Sequence, residues 1–129
     1  MITVDASAIL AILLGEPEAP DLQSRLRAGG GGVMSPVNHW EVLVRAYGLG
    51  GRDGVAEALR ALAELHVDVV AADEMTSLAA FEAFVGFGKG NGGPLNLGDC
   101  FAYALAQAEG DGLLFKGDDF PRTDVKPAL

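Results

Sequence analysis

Residues 1–16 read MITVDASAILAILLGE, and their reading decides the fold. Met1–Val4 is a short apolar run of the kind that forms a buried strand. Asp5 follows at once, and Asp5–Ser7 make the entry turn of a helix through AILAILLG. The same alternation repeats downstream. Pro17 opens a second helix, EAPDLQSRLRA, which runs into the glycines at 29–32. GVMS is a second short strand. SPVNHWEVLVRAYGLG then carries Ser35 as a cap, Pro36 in the first turn and glycine at the end, the usual punctuation of a helix. Residues 52–65 give another amphipathic pattern, and HVDVVAA a third strand.

Asp73 begins a helix that lasts to about Val85. GFGKGNGGPLN reads as a mobile glycine-rich loop. Asn96 to Glu109 is apolar nearly all round, so this helix should lie deep in the protein. GDGLLFKGDDF supplies a turn, a strand and a turn, and TDVKPAL a last short edge strand. Short apolar strands alternating with helices imply a parallel sheet covered on both faces. No internal repeat and no second domain is visible, so residues 1–129 are expected to form one domain.

Composition narrows the class. Half of the 129 residues are hydrophobic, enough for a real core. A lone cysteine, Cys100, excludes an internal disulfide framework and a cysteine zinc site, and it suits a reducing cytoplasm. No apolar run reaches the roughly 18 residues of a membrane span. The apolar N-terminal stretch lacks the basic flank of a signal peptide. The expectation is a soluble, cytoplasmic chain with no membrane partner. A net charge of −9 argues against a broad nucleic-acid-binding surface. A cluster of carboxylates that binds a cation would account for several of those negatives, because the ion inverts the local field.

The acids fall in telling places. In open α/β sheets, function gathers beyond the carboxyl ends of the strands. Asp5 follows strand one, and Asp118 and Asp119 follow GLLFK. Val37, Trp40, Val44 and Tyr47 recur at helical spacing and are expected to form the buried face of their helix. Glu41 would then point along that face. Asp99 stands in the first turn of its own helix, where the dipole favours an anion by about 0.3–1 kcal/mol. That gain is small beside the several kcal/mol of burying an unpaired charge. Each acid alone has a bland reading, Asp5 and Asp99 as helix caps, Asp118 and Asp119 as turn residues, Glu41 as half of an ion pair. Together they make an oxygen-only donor set suited to Mg²⁺, with Mn²⁺ the alternative. Hydrolysis of a phosphodiester by metal-activated water follows as its natural chemistry.

Other motifs carry less. His39 and His66 lie on different elements, a poor zinc pair. GFGKGNGG follows a helix and lacks Gly-Lys-Ser/Thr, so it fits neither nucleotide fingerprint, though Lys89 within it is a candidate phosphate contact. Cys100 has no base nearby and reads as a small core residue. Trp40, Phe81, Phe84, Phe87, Phe101 and Tyr103 sit at helical spacings, as for core packing or a partner surface. The apolar faces near 8–14 and 59–65 are candidates for a groove or a dimer surface, or for core.

VDASAILAILLGEPEA, SPVNHWEV, LNLGDCFAYALA and LLFKGDDFPRTDV, in this order over nearly the whole chain, resemble the PIN-domain ribonucleases, and among them the VapC toxins of VapBC toxin–antitoxin systems. The resemblance implies a three-layer α/β/α PIN-like domain with a parallel sheet of four or five strands. It implies an endoribonuclease dependent on Mg²⁺ or Mn²⁺, acting on RNA, held inactive by a cognate VapB-like antitoxin and commonly homodimeric. By position, Asp5 and Asp99 match metal-ligating acids, Glu41 the glutamate of the helix after strand two, and Ser7 a hydroxyl near the first acid. Many family members have an aspartate three residues before the phenylalanine of the last turn. Gly117 stands there in this chain, so Asp119, immediately before Phe120, is the candidate fourth acid, with Asp118 the alternative. The site so assigned is Asp5, Glu41, Asp99 and Asp119. In-line attack would leave a 5′-phosphate and a 3′-hydroxyl.

Two other classes compete. A phosphatase of the haloacid-dehalogenase type also places an aspartate after strand one, but it wants a second acid two residues later, where this chain has Ser7. A catalytically degenerate module that only binds protein or RNA would be indifferent to Mg²⁺.

Overall fold

The computed structural model describes residues 1–129. Strand β1 spans Ile2–Val4, helix α1 Ala6–Leu13, α2 Ala19–Ala28, β2 Gly32–Met34, α3 Pro36–Glu64 and β3 Val67–Val69. Then come α4 at Glu74–Phe87, α5 at Leu97–Glu109, β4 at Leu113–Leu114 and a 3₁₀ turn at Phe120–Arg122. The sheet is parallel throughout, in the order β3-β2-β1-β4. It has four strands. The expected edge strand in TDVKPAL is reduced to one bridge, Leu113 to Pro127.

Side chains on a strand alternate between faces, and the core divides accordingly. Ile2, Val4, Met34 and Leu114 pack with α1, α2 and the second half of α3, around the fully buried Ile9 and Leu26. On the other face Leu113 packs with α4 and α5, where Leu95, Ala102 and Phe120 are buried. Helices on both faces of a parallel sheet make the three-layer α/β/α architecture. Each fully buried Leu or Ile contributes about 1.5–3 kcal/mol, so a layer of such residues on either side is what holds these very short strands together. Helix α5 is covered along most of its length, as its composition implied: Gly98, Cys100, Ala102, Ala104 and Ala106 are all buried.

Four local differences have physical reasons. Helix α2 begins at Ala19, not Pro17, with Pro20 in its first turn. The segments 36–49 and 52–64 run as one helix interrupted at Gly50 and Gly51; Gly51 has φ +61, a conformation glycine takes without strain. The glycine-rich loop is closed on itself by backbone bonds that the sequence did not signal, Lys89 N–H to Leu95 C=O at 2.8 Å and Leu95 N–H to Phe87 C=O at 2.9 Å.

The fourth is a correction. Val37, Trp40, Val44 and Tyr47 are not the buried face of α3. The helix buries Asn38, Val42 and Ala46, while Trp40 and Tyr47 are 63% and 60% exposed and Val44 is exposed with them. Periodicity locates an apolar stripe but does not say what covers it. Here the small residues face the protein and the large ones face out. The stretches 8–14 and 59–65 go mainly to the core, through Ala8, Ile9, Ala11, Leu62 and Leu65.

The turn from α2 into β2 leaves no room for a side chain at Gly31. Its φ is +110, and a Cβ there would lie 2.1 Å from the His66 carbonyl oxygen. Gly31→Ala is therefore expected to destabilise the protein by more than about 2 kcal/mol and to lower the melting temperature by at least about 5 °C, measured by circular dichroism.

Candidate active site

All four strands point the same way, so their carboxyl ends share one edge. Asp5 leaves β1 there, and its N–H donates to the Leu114 carbonyl of β4 at 2.9 Å. Ser35 leaves β2 there and caps α3, its hydroxyl accepting from the Val37 N–H, so the first turns of α3 rise from the same edge. Helix α5 packs against β1 and descends to β4, which brings its N-terminus to this edge as well. The turn after β4 carries Asp119.

Asp5 caps α1, its Oδ2 accepting from the Ser7 N–H at 3.0 Å. It is only 4% exposed. Burial raises its carboxyl to about 6; hydrogen bonds from Ser7 oppose the rise, and the charges of Asp99 and Glu41 add to it. Ser7 is itself held in place, its hydroxyl accepting from the Lys116 N–H at 3.0 Å.

Glu41 is half-buried. Burial raises its pKa, the hydrogen bond from Asn38 opposes this, and the charge of Asp99 raises it further. Asp99 occupies a capping box: the Asn96 side chain accepts from the Asp99 N–H at 2.9 Å, and Asp99 Oδ2 accepts from the Asn96 N–H at 3.1 Å. Its pKa is raised by burial first. The bond from the Asn96 backbone opposes this, Asp119 pushes it up, and Lys89 pulls it down. The electrostatics therefore bring Asp5, Glu41, Asp99 and Asp119 into one field. Asp118 is exposed and is not among the charges that act on these carboxyls. Asp119 is exposed too, and its side chain caps nothing in the 3₁₀ turn that it opens.

The donor set is all carboxylate oxygen, which suits a hard divalent cation. No three of the His, Cys, Asp and Glu side chains close into a ready-made cage. A divalent cation would relieve the repulsion among these carboxyls. The residues present thus fit the ion that the resemblance implies.

Two residues here escaped the sequence reading. Asn38 is fully buried on α3; its Nδ2 donates to Glu41 Oε1 at 2.8 Å and to the Gly98 carbonyl at 3.0 Å. Gly98 is the second: a Cβ on it would lie 2.3 Å from Glu41 Oε1. Both left a signal. Asn38 stands three residues before Glu41, on the same helix face. Gly98 is a glycine in the first turn of a helix, where a missing side chain often marks close approach.

The remaining motifs resolve simply. Cys100 is buried, and burial pushes its thiol pKa up. Lys116 pairs with Glu16 and, at 3.3 Å, with Glu18. Phe81 and Phe84 are exposed beside a cavity of about 530 Å³ between α4 and α5, with Lys89 and Phe101 also on its wall.

Comparison with known proteins gives a consistent answer. The family model described as PIN domain matches residues 2–126. A VapC ribonuclease of Mycobacterium bovis is 40% identical over 128 residues, covering 97% of each chain. A VapC ribonuclease of Rhizobium meliloti is 35% identical, over 95% of this chain and 97% of its own. Ribonuclease VapC of Mycolicibacterium smegmatis is 38% identical over 95% of each.

The raised Asp5 carboxyl has a thermodynamic consequence. The folded state binds the proton more tightly than the unfolded state does, so ionising Asp5 opposes folding. In metal-free protein its contribution to stability is highest below pH 3.8 and is lost progressively up to about pH 6. A rise from 3.8 to about 6 is worth roughly 3 kcal/mol. Asp5→Asn keeps the acceptor for Ser7 and removes the charge. Without metal at pH 7 it is expected to melt several degrees above the wild type, and the difference should vanish near pH 4; a lower melting point at pH 7 would contradict the buried-charge account.

Proposed function

From the premise that this chain belongs to the PIN-domain family, we propose that it is a metal-dependent endoribonuclease, the toxin of a VapBC-type toxin–antitoxin pair. The observation that carries the reading is the gathering of Asp5, Glu41 and Asp99 at one sheet edge, each with its pKa raised by burial and by another of these acids or by Asp119. Such a cluster has no economical structural purpose, since buried like charges repel. The VapC ribonucleases to which the chain is similar supply the substrate class.

In this reading Asp5 and Asp99 hold Mg²⁺ or Mn²⁺, and Glu41 and Asp119 complete the site directly or through water. When bound, the ion supplies a nucleophilic water at neutral pH and neutralises charge on the phosphate. The chain's own residues do the rest. Ser7 fixes the Asp5 carboxylate through its N–H, and the capping box fixes Asp99. Lys89, whose charge reaches Asp99, is placed to meet a phosphate of the RNA. The position two residues after Asp5, which a haloacid-dehalogenase phosphatase fills with an acid, is here a serine hydroxyl tied to the Lys116 N–H. This and the family match set the phosphatase reading aside.

Residues 1–129 are read as one PIN-like domain acting in the cytoplasm; no helix is long and apolar enough to cross a membrane. Two exposed apolar surfaces are assigned to protein partners. The stripe of Trp40, Val44 and Tyr47 on α3 starts beside Glu41, and we assign it to the VapB-like antitoxin. The groove between α4 and α5, lined by Phe81 and Phe84 of α4 and by the exposed Leu97 of α5, is assigned to a second copy of the chain. Contiguous exposed apolar patches commonly mark interfaces.

Cleavage of pooled RNA tests the central claim. Purified protein should cut RNA with Mg²⁺ or Mn²⁺ and not with EDTA, leaving 5′-phosphate ends. Asp99→Asn and Asp5→Asn should each lower the rate by at least about 100-fold, in the range expected when charge stabilisation is removed. Persistent cleavage in both variants, or in EDTA, would refute it. Sedimentation tests the surfaces. Phe81→Glu should convert a dimer to a monomer while Trp40→Ala leaves the dimer intact and weakens antitoxin capture at least about tenfold; a wild-type monomer at micromolar concentration would remove the α4 assignment.

A further inference from the structure

We infer that Asn38 is a positioning residue for the cleavage reaction: its side-chain amide ties the Glu41 carboxylate to the first turn of α5, so that Glu41 and Asp99 are held as one unit. The inference rests on the ribonuclease reading above and goes beyond it, because it gives a role to a fully buried side chain bonded to Glu41 and to α5.

Both hydrogens of the Asn38 amide are engaged. Nδ2 donates to Glu41 Oε1 at 2.8 Å on its own helix and to the Gly98 carbonyl oxygen at 3.0 Å on α5. Exchanging the amide nitrogen and oxygen would set an oxygen against a carboxylate and a carbonyl, so the partners fix the orientation. Oδ1 is buried without a partner. Leaving such a group unsatisfied costs about 1–3 kcal/mol. The neighbouring positions on this face of α3, Val42 and Ala46, are apolar and buried. An apolar residue at 38 would serve packing at least as well. The polar group is retained at a cost, and what it touches is Glu41.

Gly98 supplies a second, independent sign of the same fit. It lies between Leu97 and Asp99, and a Cβ there would come within 2.3–2.6 Å of the Glu41 carboxylate atoms. One helix therefore offers a donor, and the other a vacated side-chain position together with the carbonyl that anchors that donor. A glutamate side chain has three rotatable bonds before its carboxylate. Without the clamp it samples several rotamers, and its distance to Asp99 is no longer set. Partners that orient such groups typically change activity or metal affinity by 10–100-fold when removed.

Asn38→Leu is nearly isosteric and abolishes the donor. With an oligoribonucleotide chosen from the pooled cleavage, kcat should fall about 10–100-fold while KM for RNA stays within about twofold, since ground-state RNA binding is untouched. The melting temperature should change by only a few degrees, because removal of the unsatisfied oxygen offsets the loss of the two hydrogen bonds. In a Glu41→Gln background the same substitution should cause no further loss, since Asn38 acts only through Glu41. Gly98→Ala should reproduce the kcat loss and the same non-additivity. Calorimetric titration with Mn²⁺ gives a readout independent of turnover: affinity in Asn38→Leu should fall at least about tenfold. Wild-type kcat, wild-type Mn²⁺ affinity, or an equal further loss in the Glu41→Gln background would overturn the assignment. A loss that follows the unfolded fraction would reduce Asn38 to a structural tie. Should the wild type bind Mn²⁺ yet cut no RNA, the ribonuclease reading fails and the Mn²⁺ comparison alone judges Asn38.

Discussion

A carboxylate buried at the end of a central strand is the constraint on which the rest of this structure depends. Asp5 cannot move away from the sheet edge, because its backbone N–H is bonded to Leu114 and its side chain to Ser7. Nor can it ionise freely, since burial and the charges of Asp99 and Glu41 hold its pKa up at about 6. Some of the nearby elements ease that charge and others oppose it. Helix α1 presents its N-terminus to it and β4 fixes the backbone that carries it, while Asp99 on α5 and Glu41 on α3 repel it. Such a constellation is a poor way to stabilise a fold and a good way to bind a cation. Function here is held against the stability of the metal-free chain, which is a common pattern at catalytic sites.

The two faces of α3 show how one helix serves both ends. Its inner face is built from small or hydrogen-bonding side chains, Asn38, Val42 and Ala46, which let it lie close to α5 and α1. Glu41 sits at the margin of that face, where it reaches Gly98. The outer face carries Trp40, Val44 and Tyr47, large groups that no part of this chain covers. A monomer gains nothing from exposing them. A protein partner lying along this stripe would begin at Trp40, next to the site glutamate, so cover of the apolar stripe and obstruction of the acids would go together.

Much of this was legible in the sequence, because it rests on local rules. The alternation of short apolar runs with capped helices gave the parallel sheet. Asp5 and Asp119 stood out because they follow strands and Asp99 because it opens a helix, whereas Glu41 was placed from an apolar stripe that proves to be exposed; the charges of Asp99 and Glu41 act on Asp5, and that of Asp99 on Glu41. What was not legible depended on which surface each helix turns inward. Val37, Trp40, Val44 and Tyr47 have the spacing of a core stripe, and spacing is blind to whether the cover is the chain itself or another molecule. Asn38 was missed for a related reason: an asparagine in an amphipathic helix is ordinarily on the polar face, and only the approach of α5 makes it buried. Gly98 announces close approach, but the sequence cannot name Glu41 as what approaches.

The fourth acid illustrates how backbone conformation limits where a carboxylate can stand. Gly117 occupies the position at which an aspartate would be expected, and its φ is +116. That is well outside the narrow left-handed region that aspartate tolerates. An acid at 117 would therefore require a different turn after β4. The chain keeps the glycine turn and carries two acids just beyond it, at 118 and 119. Of these, Asp119 opens the 3₁₀ turn without capping it, which leaves its carboxylate free, and its charge is the one that raises Asp99. The buried Phe120 anchors the turn against Phe115, with ring centroids 5.2 Å apart, and so fixes how far Asp119 stands from α5. Moving the acid by two residues thus preserves its electrostatic role while changing its reach. Being exposed where Asp5 is buried, Asp119 suits a water-mediated contact better than a direct one. In the proposed reading Asp5 and Asp99 would hold the ion, and Asp119 would reach it through water.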